Sequence, residues 1–169
     1  MLFYDIKKDN MIAILHNIRS LYNVGSIFRT ADAAGVEKIY LCGITASPID
    51  RFGKIRPQLA KVALGAEKYV SWEKFKETVK LIEKLKKQGY QIFAIEQNKK
   101  SIPYYKIQSY EAKPRKIGLV LGSETKGLPL SILKRADKIL EIPMKGKKES
   151  LNVAVAFGIV AFHLIFDKL

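Results

Sequence analysis

Three polar, glycine-containing segments hold the combinations of side chains in this chain best suited to chemistry. Residues 16–30 include His16, Arg19, Asn23, Gly25 and Arg29. Residues 122–129 include Gly122, Ser123, Glu124 and Gly127. Residues 143–152 include Met144, Lys145, Gly146, Lys147, Lys148, Ser150, Leu151 and Asn152. Arginine forks suit phosphate oxygens, a carboxylate and amides can orient a hydroxyl or balance a cation, and glycine admits close approach of a ligand. Two common nucleotide-binding motifs are excluded. There is no G-x-G-x-x-G for a dinucleotide. Gly122 and Gly127 have the glycine spacing of a P-loop, but Leu128-Pro129 replaces the Lys-Ser/Thr that would reach phosphate and magnesium. With His16 and His163 as the only histidines, a hydrolase triad has few options. His163 lies on an apolar run and reads as a packing residue, whereas His16 ends a strand and is open to either role.

The elements that must position these segments follow from periodicity. Short apolar runs at 12–15, 39–42, 92–95, 117–121 and 138–142 read as strands, and their weak alternation fits strands covered on both faces. A helix is expected at 24–34, with Asn23 as candidate cap and Gly35 as stop, and another at 57–64, opened by Pro57. Phe75, Val79, Ile82 and Leu85 recur at helical spacing, so a helix over 72–87 is expected behind Ser71. A short helix at 129–135 and a last one at 151–166, capped by Ser150, complete the pattern. Strands alternating with helices predict an α/β fold with a mostly parallel sheet, in a single domain over 1–169. Each of the three segments then follows a strand, at the edge where open sheets bind ligands. The stretches 45–56 and 97–116 read as the least structured.

Composition narrows the partners. The 169 residues carry 30 Lys+Arg against 16 Asp+Glu, a net charge of +14. Such an excess favours a polyanion, nucleic acid first, although lysine enrichment also accompanies adaptation to heat. The single Cys42 excludes an internal disulfide framework and a cysteine-built metal site, and it fits a reducing cytoplasm. The first ten residues mix acids and lysines where a secretory leader would be apolar, and the apolar tract 153–166 is too short to span a bilayer. Neither membrane nor metal is expected.

Taken in order, Asn23-x-Gly25-x3-Arg29-Thr30-Ala31-x-Ala33-x-Gly35, Leu121-Gly122-Ser123-Glu124-x2-Gly127-Leu128 and Ile142-Pro143-Met144-x-Gly146-x3-Ser150-Leu151-Asn152-Val153 resemble the SPOUT superfamily. Within it, they resemble the SpoU (TrmH-like) RNA ribose 2′-O-methyltransferases. Ala154, where many relatives have Ser, is a small departure. The resemblance implies S-adenosylmethionine as cofactor, a ribose 2′-hydroxyl in tRNA or rRNA as acceptor, and a homodimer joined through the C-terminal helix. It also implies a deep trefoil knot, with knot and cofactor site within about 92–169. It places Ile95, Leu121, Gly122, Ile142, Met144, Ser150 and Leu151 around the cofactor. Arg29, Asn23, Glu124, Ser150 and Asn152 become the catalytic set.

An arginine is effectively never neutral, so Arg29 is read as a clamp on the phosphate beside the target ribose rather than as a base. Asn23 either caps its helix or holds Arg29 or the ribose. Ser150 caps the last helix whether or not it also serves the site, and Asn152 is the stronger functional candidate. Arg19, Arg29, Arg51, Lys54, Arg56, Lys145, Lys147 and Lys148 would form an RNA-docking rim, while the lysines of 72–87 form a solvated helix face. About ten residues precede the first expected strand and the last expected helix closes the sequence, so a minimal domain is expected to recognise RNA with its own dimer surface, which tips the expectation slightly toward tRNA. The alternative is an RNA-binding protein of the same fold without catalysis. It would lack Arg29, Glu124, Ser150 or Asn152, and all four are present.

Overall fold

Seven strands pair in the order β3-β2-β1-β6-β4-β7-β5. They are β1 (Asn10–His16), β2 (Lys38–Cys42), β3 (Ser71–Phe75), β4 (Gln91–Ile95), β5 (Ile102–Pro103), β6 (Lys116–Leu121) and β7 (Lys138–Glu141). The computed structural model describes residues 10–107 and 116–166. The first nine residues and most of the second half of the polar stretch 97–116 lie outside that range. Among the described residues every strand pairing is parallel. Side chains one apart on a strand face opposite sides. Met11, Ala13 and Leu15 therefore enter one core with helices α1 (Leu21–Ala34) and α6 (Val153–Phe166). Ile12 and Ile14 enter the other core, with α4 (Thr78–Lys87) and α5 (Leu130–Leu133). Two short helices, α2 (Pro57–Ala63) and α3 (Ala66–Tyr69), join the first layer. α1 and α2 approach closely because Gly25 has no side chain: a Cβ there would stand 2.5 Å from the Leu59 carbonyl oxygen.

The expected helix over 72–87 is two elements. Residues 71–75 pair in parallel with 38–42 as β3, and the helix begins at Thr78. Trp72 and Phe75 would share a face on a helix. On the strand they point to opposite sides, Trp72 against the α1 core and Phe75 against the α4 core. Lys74 is thereby removed from the solvated helix face. Its Nζ donates to the carbonyls of Gly43 (2.6 Å) and Thr45, and burial lowers its pKa. Within the stretch expected to be unstructured, Ile102 and Pro103 add the edge strand beside β7.

The caps also differ from expectation. Ser20, not Asn23, caps α1, its side chain accepting from the Asn23 amide at 3.2 Å. Asn152, not Ser150, caps α6, its Oδ1 accepting from the Ala154 amide at 2.9 Å. Gly35 ends α1 in the left-handed conformation, as its position implied.

Candidate active site

β4, β6 and β7 end side by side, and the loops that follow them enclose a cleft of about 720 Å³. All seven residues expected around the cofactor line it: Ile95, Leu121, Gly122, Ile142, Met144, Ser150 and Leu151. Glu124 and Asn152 line it as well. The loop after β6 is folded on itself. A Cβ on Gly122 would lie 2.4 Å from the carbonyl carbon of Gly127, so the missing side chain makes room for the loop's own return rather than for a ligand. Gly127 has φ 60°, and a Cβ there would strike the Glu96 carboxylate at 2.3 Å.

Glu124 joins this loop to the start of α1. One carboxylate oxygen accepts from the Arg19 amide (3.2 Å); the other accepts from the Ser20 amide (3.2 Å) and from Asn23 Nδ2 (3.0 Å). Partial burial pushes the carboxyl pKa up, but the hydrogen bonds from Asn23 and the backbone amides outweigh it and hold the group below its ordinary value. Glu124 is thus an anionic acceptor and a poor base at neutral pH. Asn23 passes the contact on, since its Oδ1 accepts from Asn152 Nδ2 at 3.0 Å. Because Ser20 does the capping, the Asn23 side chain is released for this bond. The result is an oriented chain from the α6 amides through Asn152 and Asn23 to Glu124, drawing all three sequence segments to the mouth of the cleft.

Two positions that sequence reasoning passed over support the same cleft. Glu96 accepts from the Leu128 amide (2.7 Å) and from the Gln97 amide (3.0 Å). Gln97 donates through Nε2 to the Glu149 carbonyl. These two neighbours, directly after β4, brace the two loops that form the cleft walls. The signal was available: an acid and an amide immediately follow an apolar strand run. His16 has a structural place, with Nδ1 2.8 Å from Thr78 Oγ1 and Nε2 3.1 Å from Asn17 Nδ2, and burial lowers its pKa. His163 packs edge-on against Tyr104, ring centroids 5.1 Å apart.

Arg29 is not in the cleft wall. It is exposed on α1, six residues beyond Asn23, roughly 9 Å along the axis at about 1.5 Å per residue. No hydrogen bond or ion pair to another described residue holds it. Arg19, Arg51, Lys54, Lys145, Lys147 and Lys148 are exposed, but Arg56 is half-buried, with its Nε enclosed and unpartnered among the described residues. Arg56 is therefore a poorer rim cation than its type implied. No helix among the described residues is long and apolar enough to cross a membrane.

The arrangement suits a ligand with an apolar aromatic part and a positive charge. Ile95, Leu121, Leu140, Ile142 and Leu151 give the cleft apolar wall, while Glu96, Glu124 and Glu141 bring three carboxylates to it in a chain of +14 net charge. An adenine and a sulfonium meet those two needs. The family model for the SpoU rRNA Methylase family matches residues 10–162. The chain belongs to this family. The tRNA (guanosine(18)-2′-O)-methyltransferase of Aquifex aeolicus (strain VF5) is 33% identical over 93% of this SpoU chain and 69% of its own. The 23S rRNA (guanosine-2′-O-)-methyltransferase RlmB of Xanthomonas axonopodis pv. citri (strain 306) is 28% identical over 94% of this chain and 59% of its own. The crystal structure of an AdoMet-bound rRNA methyltransferase from Sinorhizobium meliloti superposes with a TM-score of 0.83 at 28% identity, covering 96% of this chain and 58% of that one. This SpoU chain thus spans little more than half of the latter two proteins.

Proposed function

We propose that this SpoU protein transfers a methyl group from S-adenosylmethionine to a ribose 2′-hydroxyl of tRNA or rRNA. The reading rests on one observation, the hydrogen-bonded chain Asn152–Asn23–Glu124 at the mouth of a cleft with apolar and acidic walls. Ile95, Ile142, Met144 and Leu151 would hold the nucleoside part of the cofactor, and backbone groups of Leu121 and Gly122 its polar edges. The cofactor supplies a methyl group made electrophilic by its sulfonium sulfur.

The chain's own residues supply position and charge. Glu124 and Asn23 fix the start of α1 against the cleft, and the exposed guanidinium of Arg29 faces the solvent from which RNA arrives. There it clamps a phosphate next to the target ribose, bidentately, and steadies the developing alkoxide as the hydroxyl proton passes to water or a phosphate oxygen and S-adenosylhomocysteine is released. Asn152 orients Asn23, and Ser150 borders the cofactor. Arg19, Arg51, Lys54, Lys145, Lys147 and Lys148 offset further phosphates.

The deep trefoil knot implied by the family belongs to this reading, with residues 143–152 carrying the chain from β7 to α6 on the α1 side of the sheet. So does the homodimer. Val155 and Phe162 are one stripe of α6, half-exposed, and Phe162 stacks on Phe166 with centroids 5.5 Å apart. A second copy covering that stripe removes apolar surface from water.

Incubation with labelled S-adenosylmethionine and total RNA, followed by mapping of the ribose that becomes resistant to alkaline cleavage, tests the activity and identifies the target. Transfer to a base, or no transfer alongside intact cofactor binding, refutes it. Arg29→Lys keeps the charge and loses the fork. Full activity in that variant would discard the clamp.

A further inference from the structure

The loop between β2 and α2 carries an apolar ring that folding leaves in water. Phe52 is 71% exposed at the tip of a turn, with Ile55 53% exposed beside it. The turn is tightly braced. Asp50 accepts through one carboxylate oxygen from the amides of Phe52 (2.8 Å) and Lys54 (2.9 Å), and its own amide donates to the Lys54 carbonyl (2.8 Å). Ile49 and Ile55 bridge in antiparallel fashion below it. The base of the loop is fixed to the end of β1: Thr45 is fully buried, donates to the Leu15 carbonyl (2.8 Å) and accepts from the Ile18 amide (3.0 Å). The Arg51 guanidinium lies over the Phe52 ring, 4.7 Å from its centroid. This loop leaves the same edge of the parallel sheet as the cleft. β2 is two strands from β6, a lateral offset of roughly 10 Å at about 4.8 Å per strand.

We infer that the Asp50–Lys54 turn is a stacking platform for an unpaired nucleobase of the RNA, next to the nucleotide whose ribose is presented to the cleft. This rests on the proposed RNA substrate. An unpaired base is recognised by stacking on aromatic rings and guanidinium planes, and the flanking phosphates need cations close by. Phe52, Arg51 and Lys54 supply all three within four residues of one another. The brace matters because a turn whose backbone is already fixed by Asp50 loses little freedom when the base arrives. A second copy of the chain is the poorer occupant. A self-complementary contact here would bring Arg51 and Lys54 close to the same cations of another +14 chain. The uncharged stripe of α6 serves that purpose better.

The test uses the whole chain, an RNA stem–loop with a seven-nucleotide unpaired loop, and the same stem closed as a duplex. Phe52→Trp places a fluorophore on the platform, read against Trp72 of the unaltered protein. Saturation with the stem–loop quenches that emission, and the duplex quenches it less. Phe52→Ala weakens stem–loop binding about tenfold with an unchanged salt slope, while Phe52→Tyr stays within about twofold. Methyl transfer to total RNA falls in parallel, and cofactor affinity does not change. Equal stem–loop binding by Phe52→Ala, or an unquenched Phe52→Trp, overturns the platform and leaves the activity standing. A smaller species for Phe52→Ala in sedimentation assigns the ring to a second copy instead. If the unaltered protein binds neither RNA nor cofactor, the proposed function fails and the platform with it.

Discussion

Replacing Glu124 by Gln removes one charge while keeping shape, and the hydrogen bonds around the carboxylate set the cost. It accepts three, from the amides of Arg19 and Ser20 and from Asn23 Nδ2. A glutamine oxygen can keep those of Ser20 and Asn23, but its amide nitrogen then faces the Arg19 N–H, donor against donor. A charge-assisted bond contributes about 1.5–3 kcal/mol when buried. At this exposed position, screening reduces it to about 1 kcal/mol. Loss of a negative charge beside the first turn of α1 adds about 0.3–1 kcal/mol. The total, about 1–2 kcal/mol, lowers Tm by roughly 2–8 °C for a chain of this length.

The pH dependence makes the test specific. Glu124 has its pKa lowered on folding from 4.5, so its stabilisation is complete above that value and is lost as pH falls through the folded-state pKa. Thermal melts of both proteins from pH 7 downward should therefore show a gap that closes in acid. A gap that stays constant across that range would refute the hydrogen-bond accounting. Methyl transfer at neutral pH should drop roughly 5–30-fold in kcat/KM, the same energy expressed as positioning.

Other perturbations reach the remaining parts of the site. Gly122→Ala inserts a Cβ 2.4 Å from the Gly127 carbonyl carbon, so calorimetric titration with S-adenosylmethionine should lose its signal while circular dichroism retains the α/β spectrum. Glu96→Ala leaves the Leu128 and Gln97 amides without their acceptor, and cofactor affinity should weaken about tenfold with little change in RNA binding. Glu96→Gln, which keeps one of the two bonds, should fall between. Phe162→Glu puts a charge into the exposed stripe of α6 and should shift a dimer to monomer in sedimentation at micromolar concentration.

Periodicity, turn residues and composition determined a good deal. The five apolar runs are strands, Gly35 stops a helix, and the layers alternate as an α/β chain must, because these signals act within a few residues of one another. The three polar segments, read by their residue types and order, marked the cleft residues and the family's chemistry. What local pattern could not decide was partnership. Phe75 continues the helical spacing of Val79, Ile82 and Leu85, and only the open edge of β2 makes residues 71–75 a strand. Ser20, Asn23, Ser150 and Asn152 are all cap-forming residue types. Which of them cap, and which reach across, depends on a carboxylate 101 residues from Asn23 and an amide 129 residues from it. Glu96 looks like an ordinary strand-end acid until the loop after β6 folds its amide onto it. Tertiary structure thus chose among donors and acceptors that the sequence had made available, since a hydrogen bond is satisfied by proximity in space and not by spacing along the chain.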